Sequence, residues 1–142
     1  MPRPDPPASV IIMPKSAALL VHAAAAIHTL TLRDGRCVSM REATLAGFDQ
    51  IIDDKRVDLI VLLRLHGQYD FSGTERQVIG LKHDEMQILR AAKKRLQTHS
   101  TVPLHHKDAV AMALMRMARP EFSRDGLIPS PLTWPEGARL QP

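Results

Sequence analysis

The chain has 142 residues, a formal charge of +4 and 44% hydrophobic residues, enough for one packed domain and too short for two catalytic domains. Its single cysteine, Cys37, cannot close an internal disulfide, so a secreted, disulfide-stapled scaffold is excluded and a reducing, cytoplasmic setting is the simple expectation. The charge is regional: residues 76–119 hold nine Lys or Arg against three acids, a net of +6, while the remainder sums to −2, a distribution that suits an anionic partner such as nucleic acid.

In chain order, residues 1–15 read as a flexible, Pro-rich leader, because prolines lack a backbone donor and hold the chain extended. Ser16–Ile27 is Ala-rich and apolar apart from Ser16 and His22. It reads as a buried helix, and at about 12 residues it is far short of the roughly 20 that cross a bilayer. Lys15 followed by this run has the crude form of a secretory signal, interrupted by His22. His28–Met40 predicts a β-hairpin, with Leu30 and Leu32 alternating with threonines and Asp34-Gly35 as a two-residue turn. Arg41–Lys55 predicts a helix, with Asp49, Asp53 and Asp54 unfavourably late for its dipole. Val57–Leu65, nearly continuous in apolar residues, predicts a central strand, and His66–Thr74 a loop. Glu75–Leu81 is a short extended run, Asp84–Gln97 an amphipathic helix and His105–Arg119 a second helix, whose apolar surface is wider than one solvated face allows. The tail, residues 120–142, reads as an irregular Pro-rich arm that could lie over the core through Leu127, Ile128, Leu132 and Trp134. The expected fold class is therefore α+β: one domain over residues 16–119, with an N-terminal hairpin-helix-strand region and a C-terminal strand-helix-helix unit.

Residues that could carry chemistry are scattered. His105-His106-Lys107-Asp108, with His83-Asp84 and His99, lacks the spacing of a zinc helix motif, and capping or surface roles are expected; no metal or cofactor is assigned. Cys37 could act as a nucleophile with His22, His28 or His66 as base, though a small apolar role two residues past a turn is equally natural. Asp49, Asp53, Asp54, Asp58 and Asp70 could include paired carboxylates, since Asp49 and Asp53 share a helical face, but nothing marks an acid/base pair and they read as a solvated acidic face. Gly67 and Gly73 flank a loop that lacks the phosphate-loop and dinucleotide patterns. Tyr69 and Phe71 could offer stacking surfaces to single-stranded nucleic acid or tie that loop to the core. An enzyme would be sought first at His66, Asp70 and Cys37, but no catalytic residue is assigned.

Residues 76–119 resemble the ribbon-helix-helix family of dimeric DNA-binding proteins. Val78-Ile79-Gly80-Leu81 matches the ribbon strand, Asp84-Glu85-Met86 the start of the first helix, and Asp108-Ala109-Val110-Ala111-Met112-Ala113-Leu114 the family's acid, two apolar, two variable, Ala, Leu run in the second. The resemblance implies a homodimer in which a strand from each subunit pairs to enter the major groove, serving as a transcriptional or mobile-element regulator. It implies that Arg76, Val78 and Gly80 face DNA while Gln77, Ile79 and Leu81 face inward. Lys82 would meet a phosphate, Thr101 and Lys107 would assist at the start of the second helix, and Arg90, Lys93, Lys94 and Arg95 would supply sequence-independent attraction. The alternative is a non-catalytic protein-binding module, such as an accessory subunit, chaperone or inhibitor, using the Ala- and Met-rich helices.

Overall fold

A computed structural model describes residues 9–119; most of the predicted leader and the arm after 119, with Leu127, Ile128, Leu132 and Trp134, lie outside the described residues. The elements run β1 (Ser9–Pro14), α1 (Ala17–Asp34), α2 (Met40–Asp53), α3 (Arg56–Gly67), β2 (Arg76–Leu81), α4 (His83–Thr98) and α5 (His106–Met117). They form a small α+β domain of five helices and one two-stranded antiparallel sheet. No helix among the described residues is long and apolar enough to cross a membrane.

Three expectations are corrected. The hairpin at 28–40 does not form: α1 continues through His28–Arg33 to Asp34, burying Ala23, Ala26 and Leu30 at helical spacing. Gly35 ends it in the left-handed region, at φ 70°, with its N–H bonded to the Thr31 carbonyl. Asp-Gly is as good a helix terminus as a hairpin turn, because both need a residue at positive φ. The strand at 57–65 is α3. Asp58, Leu59, Val61, Leu62 and Leu65 are buried, an i, i+3, i+4, i+7 stripe concealed by apolar residues on the remaining face. The segment 9–14, grouped by composition with the leader, is β1.

The seven elements contain a repeat. Ser16 and Lys82 cap α1 and α4, Ser39 and His105 cap α2 and α5, and each later cap follows its counterpart by 66 residues. The same offset relates Ile12 to Val78, which face each other at the centre of the β1–β2 register. It also relates Gly47 of α2 to Ala113 of α5, whose backbones touch: a Cβ added to Gly47 would lie 2.7 Å from the Ala113 Cα. Strand, helix, helix is thus built twice, and an approximate two-fold axis passes through Ile12–Val78 and Gly47–Ala113. The units are intertwined, since α1 packs on α5, α4 packs on α2, and α2 packs most extensively on α5. The apolar excess of α5 is consumed inside the chain, with residues 109–117 buried without a break among α1, α2, α3 and α4.

Matching positions are buried in both units: Ala23 and Leu89, Ala26 and Ala92, Leu30 and Leu96 on the first helices. On the second helices the pairs are Ala43 and Ala109, Thr44 and Val110, Phe48 and Leu114, Ile51 and Met117. Element α3 lies outside the repeat, as does the loop after it, and covers one side of α5.

Candidate nucleic-acid interface

Alternation along the ribbon decides which side chains face out. Ile11, Met13, Ile79 and Leu81 are buried against the helices, while Val10, Ile12 and Val78 remain 53%, 53% and 51% exposed and Arg76 is exposed beside them. Gln77 and Gly80 are half-buried. The outer face is therefore three β-branched aliphatic residues and one guanidinium, with Pro14 and Gly80 completing it. Arg76 makes no hydrogen bond or ion pair among the described residues.

The second helix of each unit starts beside the strand of the other. At α5, His105, His106 and Lys107 line a hollow with Val10, Ile11 and Ile12, and Lys107 lines a second one with Pro14 and Arg76. At α2, Arg41 donates from Nε to the Gly80 carbonyl at 3.3 Å and ion-pairs with Glu85. Arg41 and Lys107 occupy equivalent positions in the repeat. Both helix starts are closed by capping boxes. The Ser39 hydroxyl accepts from the Glu42 N–H at 3.1 Å, and the Glu42 carboxylate accepts from the Ser39 N–H at 3.3 Å. Asp108 accepts from the His105 N–H at 2.8 Å. Two helix N-termini, each a partial positive charge, flank the ribbon on opposite sides.

The remaining predicted contacts fall in different places. Lys82, exposed, precedes α4, where Glu85 accepts its N–H at 2.8 Å. Arg90 and Lys94 are exposed on α4. Lys93 lies 3.2 Å from His106 Nδ1, and burial together with the Lys93, Arg90 and His105 charges holds His106 below its ordinary value. Thr101 stands away from the ribbon hollows, beside Ile60, Leu63 and Arg64 of α3. Arg95, expected on the solvated face, is half-buried and turned inward: it donates to the Ile51, Ile52 and Asp54 carbonyls at 3.2, 2.5 and 2.8 Å. It thereby closes the C-terminus of α2, whose last turn carries no basic residue of its own.

The other candidates take structural places. Asp54, expected in a solvated face, is buried against Arg116, with contacts of 2.7 and 3.1 Å, and Asp58 is buried too; Asp49 and Asp53 are exposed. Cys37 is exposed in the α1–α2 connection and no histidine bonds its thiol. Asp70 accepts from the Ser72 N–H and hydroxyl, which hold its carboxyl below the usual range. Tyr69 and Phe71 tie the 68–75 loop down: Tyr69 meets the His22 ring edge-on at 4.7 Å and Phe71 stacks on His66 at 5.0 Å. His22 is fully buried, its Nδ1 2.8 Å from the Ala18 carbonyl, and desolvation lowers it to about 4, the charges of Arg119 and His66 adding to the effect. Burial also lowers His66, against the nearby Asp108. Among the described residues no group of three acidic, His or Cys side chains could hold a metal.

What sequence reasoning missed is the first unit. Glu42-Ala43-Thr44-Leu45-Ala46-Gly47-Phe48 follows the Asp108–Leu114 pattern of acid, two apolar, two variable, small, apolar, except that Thr44 stands at the second apolar position, and aligning the two 66 residues apart would have exposed the repeat. Comparison of the chain with protein-family models, with curated proteins and with solved structures finds no match.

Proposed function

We propose that this chain is a small DNA-binding regulator that seats the β1–β2 ribbon in the major groove of a duplex and holds the flanking phosphates at the starts of α2 and α5. The observation that carries this reading is the two-fold disposition of the outward ribbon between two helix N-termini, each bearing a basic residue, Arg41 or Lys107. A two-stranded ribbon fits the width of the major groove, and backbone N–H groups at helix starts suit phosphate. The ribbon-helix-helix resemblance implies two chains for such a ribbon. Here both strands come from one chain, so one copy supplies the whole surface. Arg76 would read a base edge, Val78 and Gly80 would lie against the groove floor, and Lys82, Arg90, Lys93 and Lys94 would add sequence-independent attraction.

Fluorescence anisotropy of the full chain with random-sequence duplex across a salt titration tests the reading. A log–log salt slope of about −3 to −4, corresponding to roughly four phosphate contacts, is expected; no binding at low salt overturns it. The competing reading, a non-catalytic protein-binding module, draws on the apolar residues of the same outer face. It requires a face that ignores DNA at every salt concentration.

A further inference from the structure

The two ends of the ribbon are chemically different. Within the repeat Arg76 is the counterpart of Val10, Gly80 of Pro14 and Lys107 of Arg41, and the register brings Pro14 opposite Arg76 and Val10 opposite Gly80. One end therefore combines Arg76 and Lys107, both exposed and without a bonded partner among the described residues. The other has Val10 in place of a guanidinium, in a hollow that His105, His106 and Lys107 also line, and Arg41, whose guanidinium is already engaged by Glu85 and the Gly80 carbonyl. Ile12 and Val78 stand between them on the axis, both half-exposed.

We propose that the chain recognises a non-palindromic duplex site: thymine methyl groups under Ile12 and Val78 at the centre, a guanine under Arg76 on one flank, and a further thymine under Val10 on the other. This rests on the DNA-binding reading above and adds the identity of the site. Arginine pairs bidentately with the O6 and N7 acceptors of guanine, and the thymine methyl is the one apolar group that a base pair offers in the major groove. Residues two apart along a strand are separated by about 6.6 Å, close to two base-pair steps of about 3.4 Å. The flanking guanine and thymine thus fall about two steps either side of the centre. Three half-exposed aliphatic side chains provide far less than the roughly 800 Å² per partner of a stable protein interface. The adjoining Arg76 and Lys107 charges match an anionic duplex rather than a second copy of this basic chain.

The test is selection of bound sequences from a random duplex library with the full native chain, followed by base-analogue substitution in the selected site. The expected consensus is asymmetric, with thymines at the centre and guanine on one flank only. Replacing a central thymine by uracil weakens binding about fourfold, the worth of one buried methyl, and 7-deazaguanine at the flank weakens it about fivefold or more. Val10→Arg, a surface change, converts the preference to a palindrome with guanine on both flanks, whereas Arg76→Val removes the guanine. A palindromic consensus with the native chain, or affinity indifferent to uracil and 7-deazaguanine, overturns the proposal while leaving DNA binding intact. No binding to any duplex at low salt, with or without self-association in light scattering, overturns both.

Discussion

The two strand-helix-helix units share a frame and differ in what surrounds it. In the first, α2 retains a solvated face, with Asp49 and Asp53 exposed; in the second, residues 109–117 of the equivalent helix α5 have no free face, because α3, which lies outside the repeat, packs on that side. The first helices diverge in the opposite sense: α1 is Ala-rich and carries a buried His22, whose counterpart on the charged helix α4 is the half-buried Ile88. The comparison teaches that the two-fold frame depends on a few matched small or apolar positions, and that the side covered by α3 decides which further residues are buried.

The largest effect is expected where the units are cross-linked off the axis. Asp54 at the end of α2 and Arg116 in α5 are both 4% exposed and joined by two contacts. Either Asp54→Ala or Arg116→Ala breaks this buried ion pair and should cost about 3–5 kcal/mol in urea denaturation. The His22 difference is sharpened by acid. Its folded value of about 4 lies below the ordinary 6.5, so between those values the unfolded chain binds the proton more readily. Stability is full above about pH 6.5 and falls as pH drops toward 4, by about 2–3 kcal/mol. His66, lowered in the same direction, adds to the trend. The urea midpoint of the native chain should drop more between pH 7.5 and pH 4.5 than that of His22→Leu.

On the axis itself, Gly47→Ala would ordinarily gain about 1 kcal/mol of helix propensity. Its new methyl would meet the Ala113 backbone, and a loss of about 1–3 kcal/mol by overpacking is predicted. The same change at the solvent-facing helical position Gly67, where nothing lies within 4 Å, should show no such penalty. The smallest effect is at Gly35, whose φ of 70° makes Gly35→Ala cost about 1 kcal/mol, measurable as a shift in thermal midpoint.

The amphipathic elements were legible. Leu89, Ala92 and Leu96 announce α4, Ile79 and Leu81 against exposed Val78 announce β2, and the apolar breadth of α5 announces burial on every side. The misread segments share a physical cause. At 28–35, helix and hairpin compete for the same Asp-Gly terminus, and only packing of Leu30 under the second helices decides between them. In α3 the outward Ile60 and Leu63 mask the helical stripe. Of the candidate site, Arg76, Val78 and Lys107 could be proposed from the second unit. Val10, Ile12 and Arg41 could not, because β1 stood among prolines and its partner strand is far off in the chain, Ile12 pairing with Val78, 66 residues on. Arg95 and Asp54 read as surface charges until the fold brought α4 to the end of α2 and Arg116 beside it.

The most direct test of the account is the mass of the protein–duplex complex, measured by light scattering or native mass spectrometry on a selected duplex just long enough for one site. A ribbon completed within one chain predicts one chain per duplex, with affinity that falls steeply as salt rises. Two chains per duplex, or a free duplex at low salt, would contradict it.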